Sequence, residues 1–146
     1  MRCYILIAVC LSCRAAALHA QADADKASKE LQGEWRAVEL QTSGNPAPKE
    51  VVEKARLEVK GDEVTWNSGG TGVRKSRVRL DPSRSPKEID ITALDGPRKG
   101  TIYLGIYSLE KGQLRLCYSA KERPKEFKTE RGELGELVTL ERVKPK

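Results

Sequence analysis

The sequence predicts an all-β domain, an up-and-down antiparallel barrel of about eight strands preceded by a short helix. Three observations carry this. From residue 35 onward the apolar residues recur with a period of two in short runs. The runs are separated at regular spacing by Gly/Pro/Asn/Asp turns such as Gly61-Asp62, Asp95-Gly96-Pro97 and Lys111-Gly112. Nearly all of these turns are tight, so neighbours in sequence pair in space, and such a meander hides its edges most economically by closing on itself.

The elements follow in order. Residues 25–32 read as a short helix, capped by Asp23 or Asp25 and ended by Gly33. A first strand covers 35–40, and a Gly/Asn/Pro loop over 42–48 leads to one turn of helix over 48–54. Strands at 56–60 and 63–67 form a hairpin about Gly61-Asp62, with Leu57, Val59, Val64 and Trp66 inward. Residues 68–72 are a flexible turn. Strands at 73–81 and 88–93 follow, with Val78, Leu80, Ile89 and Ile91 in phase. The most apolar strand, 101–109, places Ile102, Leu104 and Ile106 on one face and Tyr103 and Tyr107 on the other, and Gly105 in its middle predicts a bend or bulge. The strand 113–119 pairs back with Leu114, Leu116 and Tyr118 inward. A charged loop over 120–133 leads to a last strand at 137–143 with Val138 and Leu140 in phase.

The amino terminus reads as a targeting segment. Met1-Arg2 gives a positive start, residues 4–11 an apolar run, and Ala20-Gln21-Ala22 a small-x-small cleavage site before Asp23. The division is therefore a signal peptide over 1–22, a helical lead-in over 23–30 and a barrel domain over 31–144. The expected setting is exported, periplasmic or extracellular. The apolar run is shorter than the roughly 20 residues that span a bilayer, so no integral membrane segment remains after cleavage. A lipoprotein anchored at Cys13 is the alternative, but Cys10-Leu11-Ser12-Cys13 matches the required box only in part.

Cleavage removes Cys3, Cys10, Cys13 and the single histidine, His19, leaving Cys117 as the sole thiol. No internal disulfide can form, and the domain stands on its core. Ser-His and Cys-His nucleophile systems lose their base, and zinc sites lose their commonest ligand. The sequence therefore implies no catalytic residues, no metal and no cofactor. Cys117 could be a reactive thiol or an intermolecular disulfide partner, but the plainer reading is a small, partly buried strand residue made inert by burial. Asp81, Asp90 and Asp95 could gather around a hard cation, but the plainer reading is that each bonds its own turn or strand end. Residues 68–72 lack the Gly-Lys-Ser/Thr ending of a phosphate loop. The net charge of +6 falls to +4 once Arg2 and Arg14 leave, and positive residues alternate with acids, as in Lys121-Glu122-Arg123. This lacks the one-sided basic stripe of a nucleic-acid binder.

Two sets of residues resemble known proteins. Gly33-Glu34-Trp35 opens the first strand and Arg142 lies in the last, which is similar to the lipocalins. There a Gly-x-Trp motif plugs the closed end and a distal arginine packs on the indole, so the resemblance implies a barrel-closing role for Gly33, Trp35 and Arg142. The second set comprises Asp81-Pro82, Pro86-Lys87, Ile89-Asp90-Ile91-Thr92, Asp95-Gly96-Pro97, Lys99-Gly100, Gly105-Ile106-Tyr107, Leu114-x-Leu116-Cys117 and Arg123-Pro124-x-Glu126-Phe127. It resembles a lipocalin-like domain of uncharacterised function common in planctomycete bacteria. This resemblance covers residues 31–144 and implies a fold and an exported setting, not a reaction.

The expected function is a binding or carrier module for a small apolar ligand. The barrel lining would come from Leu57, Val64, Trp66, Val78, Ile89, Leu104, Leu116 and Tyr118, with Trp66 and Tyr118 toward the open end. The alternative is a solid-cored interaction or structural domain contacting an envelope protein. A cavity of roughly 300 Å³ or more separates the two.

Overall fold

The computed structural model describes residues 12–69 and 72–144. The expected positive start and apolar run within 1–11, and two residues of the 68–72 turn, lie outside the described residues.

Helix α1 spans Ser12–Leu31 and β1 spans Gly33–Thr42. The short strand β2, Asn45–Pro46, and helix α2, Lys49–Lys54, follow. Strands β3 (Arg56–Lys60), β4 (Glu63–Asn67), β5 (Val73–Asp81), β6 (Lys87–Ala93), β7 (Ile102–Glu110), β8 (Gln113–Ser119) and β9 (Gly135–Arg142) complete the chain. Every pairing is antiparallel, β3 to β9 run as a meander, and β1 pairs with both β3 and β9. The result is a closed eight-stranded barrel of the up-and-down, lipocalin-like kind, with β2 appended to the end of β1. Closure leaves the eight barrel strands without a free edge.

The local chemistry explains the turns. Lys111 and Gly112 both take positive φ, 51° and 76°, the requirement of a two-residue turn that matches the strand twist. The expected helix at 25–32 is longer than the sequence reading, extending back to Ser12. Alanines at 20, 22 and 24 favour helix strongly, and the sequence offers no breaker upstream to stop it. Its last turns touch the barrel, where Ala27 and Leu31 are buried, whereas residues 17–23 are exposed.

One end of the barrel is sealed around Trp35. Its indole is fully buried and its Nε1 donates to the Leu31 carbonyl at 2.9 Å. Arg142 lies directly across the β1–β9 pair, with its guanidinium carbon 4.2 Å from the Trp35 ring centroid. The same guanidinium donates to the carbonyls of Gln32 at 2.6 Å and Glu30 at 2.5 Å, so it satisfies the last acceptors of α1 while stacking on the indole. Gln32 exchanges two hydrogen bonds with Gly61 in the β3–β4 turn, Nε2 to O at 2.9 Å and N to Oε1 at 2.8 Å. Gly33, with φ 110°, makes the corner from helix to strand, and a Cβ there would come within 3.3 Å of Arg142 Nη1. Gly33, Trp35 and Arg142 thus sit together at the closed end.

Candidate ligand cavity

The barrel interior holds a cavity of about 590 Å³, open at the end opposite Trp35. Alternation along each strand decides which residues wall it. Leu57, Val64, Trp66, Val78, Ile89, Leu116 and Tyr118 line it as the phase of their strands requires. Leu31 from the helix and Val59, Ile91, Leu114 and Val138 extend the apolar wall.

Leu104 does not line the cavity, which corrects the expected phase of β7. The β6–β7 register pairs Ile89 with Gly105 and Ile91 with Tyr103. Directly paired residues share a face, so Tyr103, Gly105 and Tyr107 face inward and Ile102, Leu104 and Ile106 face outward. Gly105 also departs from expectation: the ladder runs through it without a register shift on either side. Its lack of a side chain answers a close approach rather than a bulge.

The outer face of β7 is covered in turn. Ile106, Cys117 and Leu137 form a second buried cluster beneath Phe127 of the 120–134 loop. Arg123 pins this loop down, donating to the carbonyls of Ile89 and Gly105 and to Asp90 Oδ1 at 2.6 Å. The loop is therefore an anchored cover, although its charges suggest a solvated one. Cys117 is fully buried there, with Sγ 3.5 Å from the Lys128 carbonyl, and burial pushes its thiol pKa up.

The rim is polar. Tyr118 Oη donates to Glu136 Oε2 at 2.5 Å, and the rings of Tyr118 and Tyr103 meet edge to face at 5.9 Å. Burial, then the charge and hydrogen bond of Glu136, hold the Tyr118 phenol well above its ordinary pKa, so it stays a donor. Arg98 Nη1 donates to Tyr103 Oη at 3.2 Å. Arg74 pairs across β4–β5 with Trp66, and Glu136 pairs across β8–β9 with Tyr118. Both aromatics therefore stand beside the charged rim rather than at the sealed end. Lys75 and Asp95 complete the mouth, and the Lys75 backbone N–H donates to both Asp95 oxygens.

The rim residues Arg74, Arg98, Tyr103 and Glu136 were not among the expected lining. Two had a signal in the sequence: Arg74 is in phase with Val78, and Glu136 with Val138. Polarity alone set them aside, because interior positions at an open mouth face water.

Asp81, Asp90 and Asp95 do not converge. Asp81 accepts from Ser83 N and Oγ, Asp90 pairs with Arg123, and Asp95 holds Lys75. Among the described residues no group of three His, Cys, Asp or Glu side chains is placed to hold a metal ion.

The chain matches no protein-family model, no curated protein and no solved structure.

Proposed function

We propose that the domain is an exported, non-catalytic binding or carrier module that holds a small apolar ligand inside its barrel. The observation behind this reading is the cavity itself. Its volume of about 590 Å³ lies within the roughly 300–1,000 Å³ typical of small-molecule sites. Its depth is aliphatic and its polar groups are confined to the mouth, an arrangement suited to burying an apolar body while leaving a polar end hydrated. The rival reading, a solid-cored interaction domain for an envelope partner, has no use for such a space.

Export and kinship with the planctomycete lipocalin-like family are part of the same proposal and rest on the sequence motifs. The structure is compatible with cleavage after Ala22. The exposed residues 17–22 contribute nothing to the buried core, and the turns carrying Ala27 and Leu31 stay with the barrel. Amino-terminal sequencing of the exported protein should begin at Asp23; a product beginning at a lipidated Cys13 contradicts this.

The function is tested by native mass spectrometry of protein purified from its own host. The expected result is a retained small molecule, released on denaturation. A bare polypeptide mass, together with no uptake of lipophilic dyes, would favour the interaction domain.

A further inference from the structure

Resting on the cavity reading above, we infer that the ligand is a free single-chain amphiphile with an anionic head, its apolar body in the barrel and its head at the rim between Arg74 and Arg98.

Charge is distributed unevenly along the cavity. Every charged residue in its lining, Arg74, Lys75, Asp95, Arg98 and Glu136, belongs to the mouth. The three cations are not spent on the protein. Among the described residues none of them has a carboxylate within ion-pair distance, whereas Arg77, two residues from Lys75 on the same strand, pairs with both Asp62 and Glu63. Arg36, Arg84 and Arg123 are paired as well. Arg98 makes one hydrogen bond, to the Tyr103 phenol, leaving most of its five donors unused.

The two rim acids are already engaged. Asp95 accepts the Lys75 amide with both oxygens, and Glu136 accepts the Tyr118 hydroxyl. Glu136 lies on β9, halfway round the eight-stranded barrel from Arg74 on β5. The mouth thus carries three cations, Arg74, Lys75 and Arg98, against two carboxylates, Asp95 and Glu136, a net charge of +1 that favours an anion over a cation. Tyr103 adds a hydroxyl hydrogen on the same side, because its oxygen is the acceptor in the contact with Arg98. Arg74 stands on the inward phase opposite Trp66, so a head bound there is continuous with the apolar wall. Guanidinium groups suit carboxylate and phosphate heads because their donors are fixed in a fork.

The test uses the full chain and a neutral lipophilic dye bound in the cavity. Dodecanoate, dodecanol and dodecyltrimethylammonium, each below its micelle concentration at low ionic strength, are compared as competitors. Dodecanoate should bind about tenfold more tightly than the other two, the gain expected of one charge-assisted contact. The double variant Arg74→Gln/Arg98→Gln should bring dodecanoate down to the dodecanol value. A thermal melt and a near-ultraviolet circular dichroism spectrum matching those of the unsubstituted protein then show that the barrel is intact. Equal binding of the three, or preference for the ammonium, overturns the anionic head while leaving the cavity reading in place. A dye that never binds, with no competitor detected by calorimetry, overturns both. Sedimentation with phosphatidylglycerol/phosphatidylcholine vesicles that leaves the dye undisturbed assigns the cations to a membrane surface and overturns the free amphiphile.

Discussion

Gly105 and Tyr118 face each other across β7–β8 so closely that a Cβ on residue 105 would fall 2.8 Å from the Tyr118 Cβ. It would also lie 2.9 Å from the Cys117 carbonyl oxygen and 3.1 Å from Ile89 Cγ2. Backbone and a packed strand pair cannot yield as a flexible side chain would. Gly105→Ala should therefore destabilise the barrel by about 1–3 kcal/mol, the usual cost of overpacking. Urea unfolding measures this, and an unchanged midpoint would show that the two strands separate freely.

The seal at the other end makes a second prediction. Trp35→Ala removes a fully buried indole and should cost about 3–5 kcal/mol. Arg142→Ala should cost less, about 1–2 kcal/mol, because the guanidinium remains partly hydrated while it stacks and bonds the end of α1. Arg142→Lys should recover little of this, since an ammonium cannot stack and reach two carbonyls together. Thermal melts of the three variants check the order.

The barrel was legible in the sequence because one face of most strands is apolar and the other is not. Leu57, Val64, Trp66, Val78, Ile89 and Leu116 announce their direction by alternation alone. The rule failed on β7, where both faces are buried. Tyr107 packs inside and Ile106 outside, under Phe127, so aliphatic character no longer marks the interior. Knowing the pairing of Ile89 with Gly105 would have resolved it, but register is a property of two strands. The 120–134 loop hid its role for a related reason. Arg123 looks like one more surface charge until Asp90 and two strand carbonyls are brought to it from residues at least eighteen positions away.

Tyr107 gives a pH-dependent prediction. Its ring is buried at the closed end, and among the described residues its hydroxyl is the buried side-chain polar atom without a hydrogen-bond partner. Burial, with smaller contributions from Glu30 and Asp81, pushes its pKa from 10.0 up to about 12. Below pH 10 the phenol is protonated whether the chain is folded or not, and its contribution is complete. Between pH 10 and 12 only the unfolded chain releases the proton, so stability falls as pH rises. Tyr107→Phe should remove this part of the slope. At pH 7 it should also raise stability by about 1 kcal/mol, because an unpartnered buried hydroxyl is lost. Urea unfolding of both proteins at pH 7, 10 and 11 makes the comparison.

Cys117 should be unreactive in the native state. It is fully buried and its thiol pKa is raised, so neither exposure nor thiolate character favours attack. Iodoacetamide labelling followed by peptide mapping should find the Cys117 peptide unmodified in native protein and fully modified in urea. Rapid native labelling would mean that the 120–134 loop opens readily, against the anchoring by Arg123.

The barrel interior is expected to take up an apolar molecule, and the two tryptophans report on that uptake separately. Trp66 lines the cavity beside its mouth, and Trp35 is sealed at the far end beneath Arg142. Titrating a lipophilic probe while following tryptophan emission should give a saturable change at micromolar concentrations. Trp66→Phe should abolish most of that change, while Trp35 stays silent. No response with wild-type protein, or a response that survives intact in Trp66→Phe, would contradict uptake into the barrel.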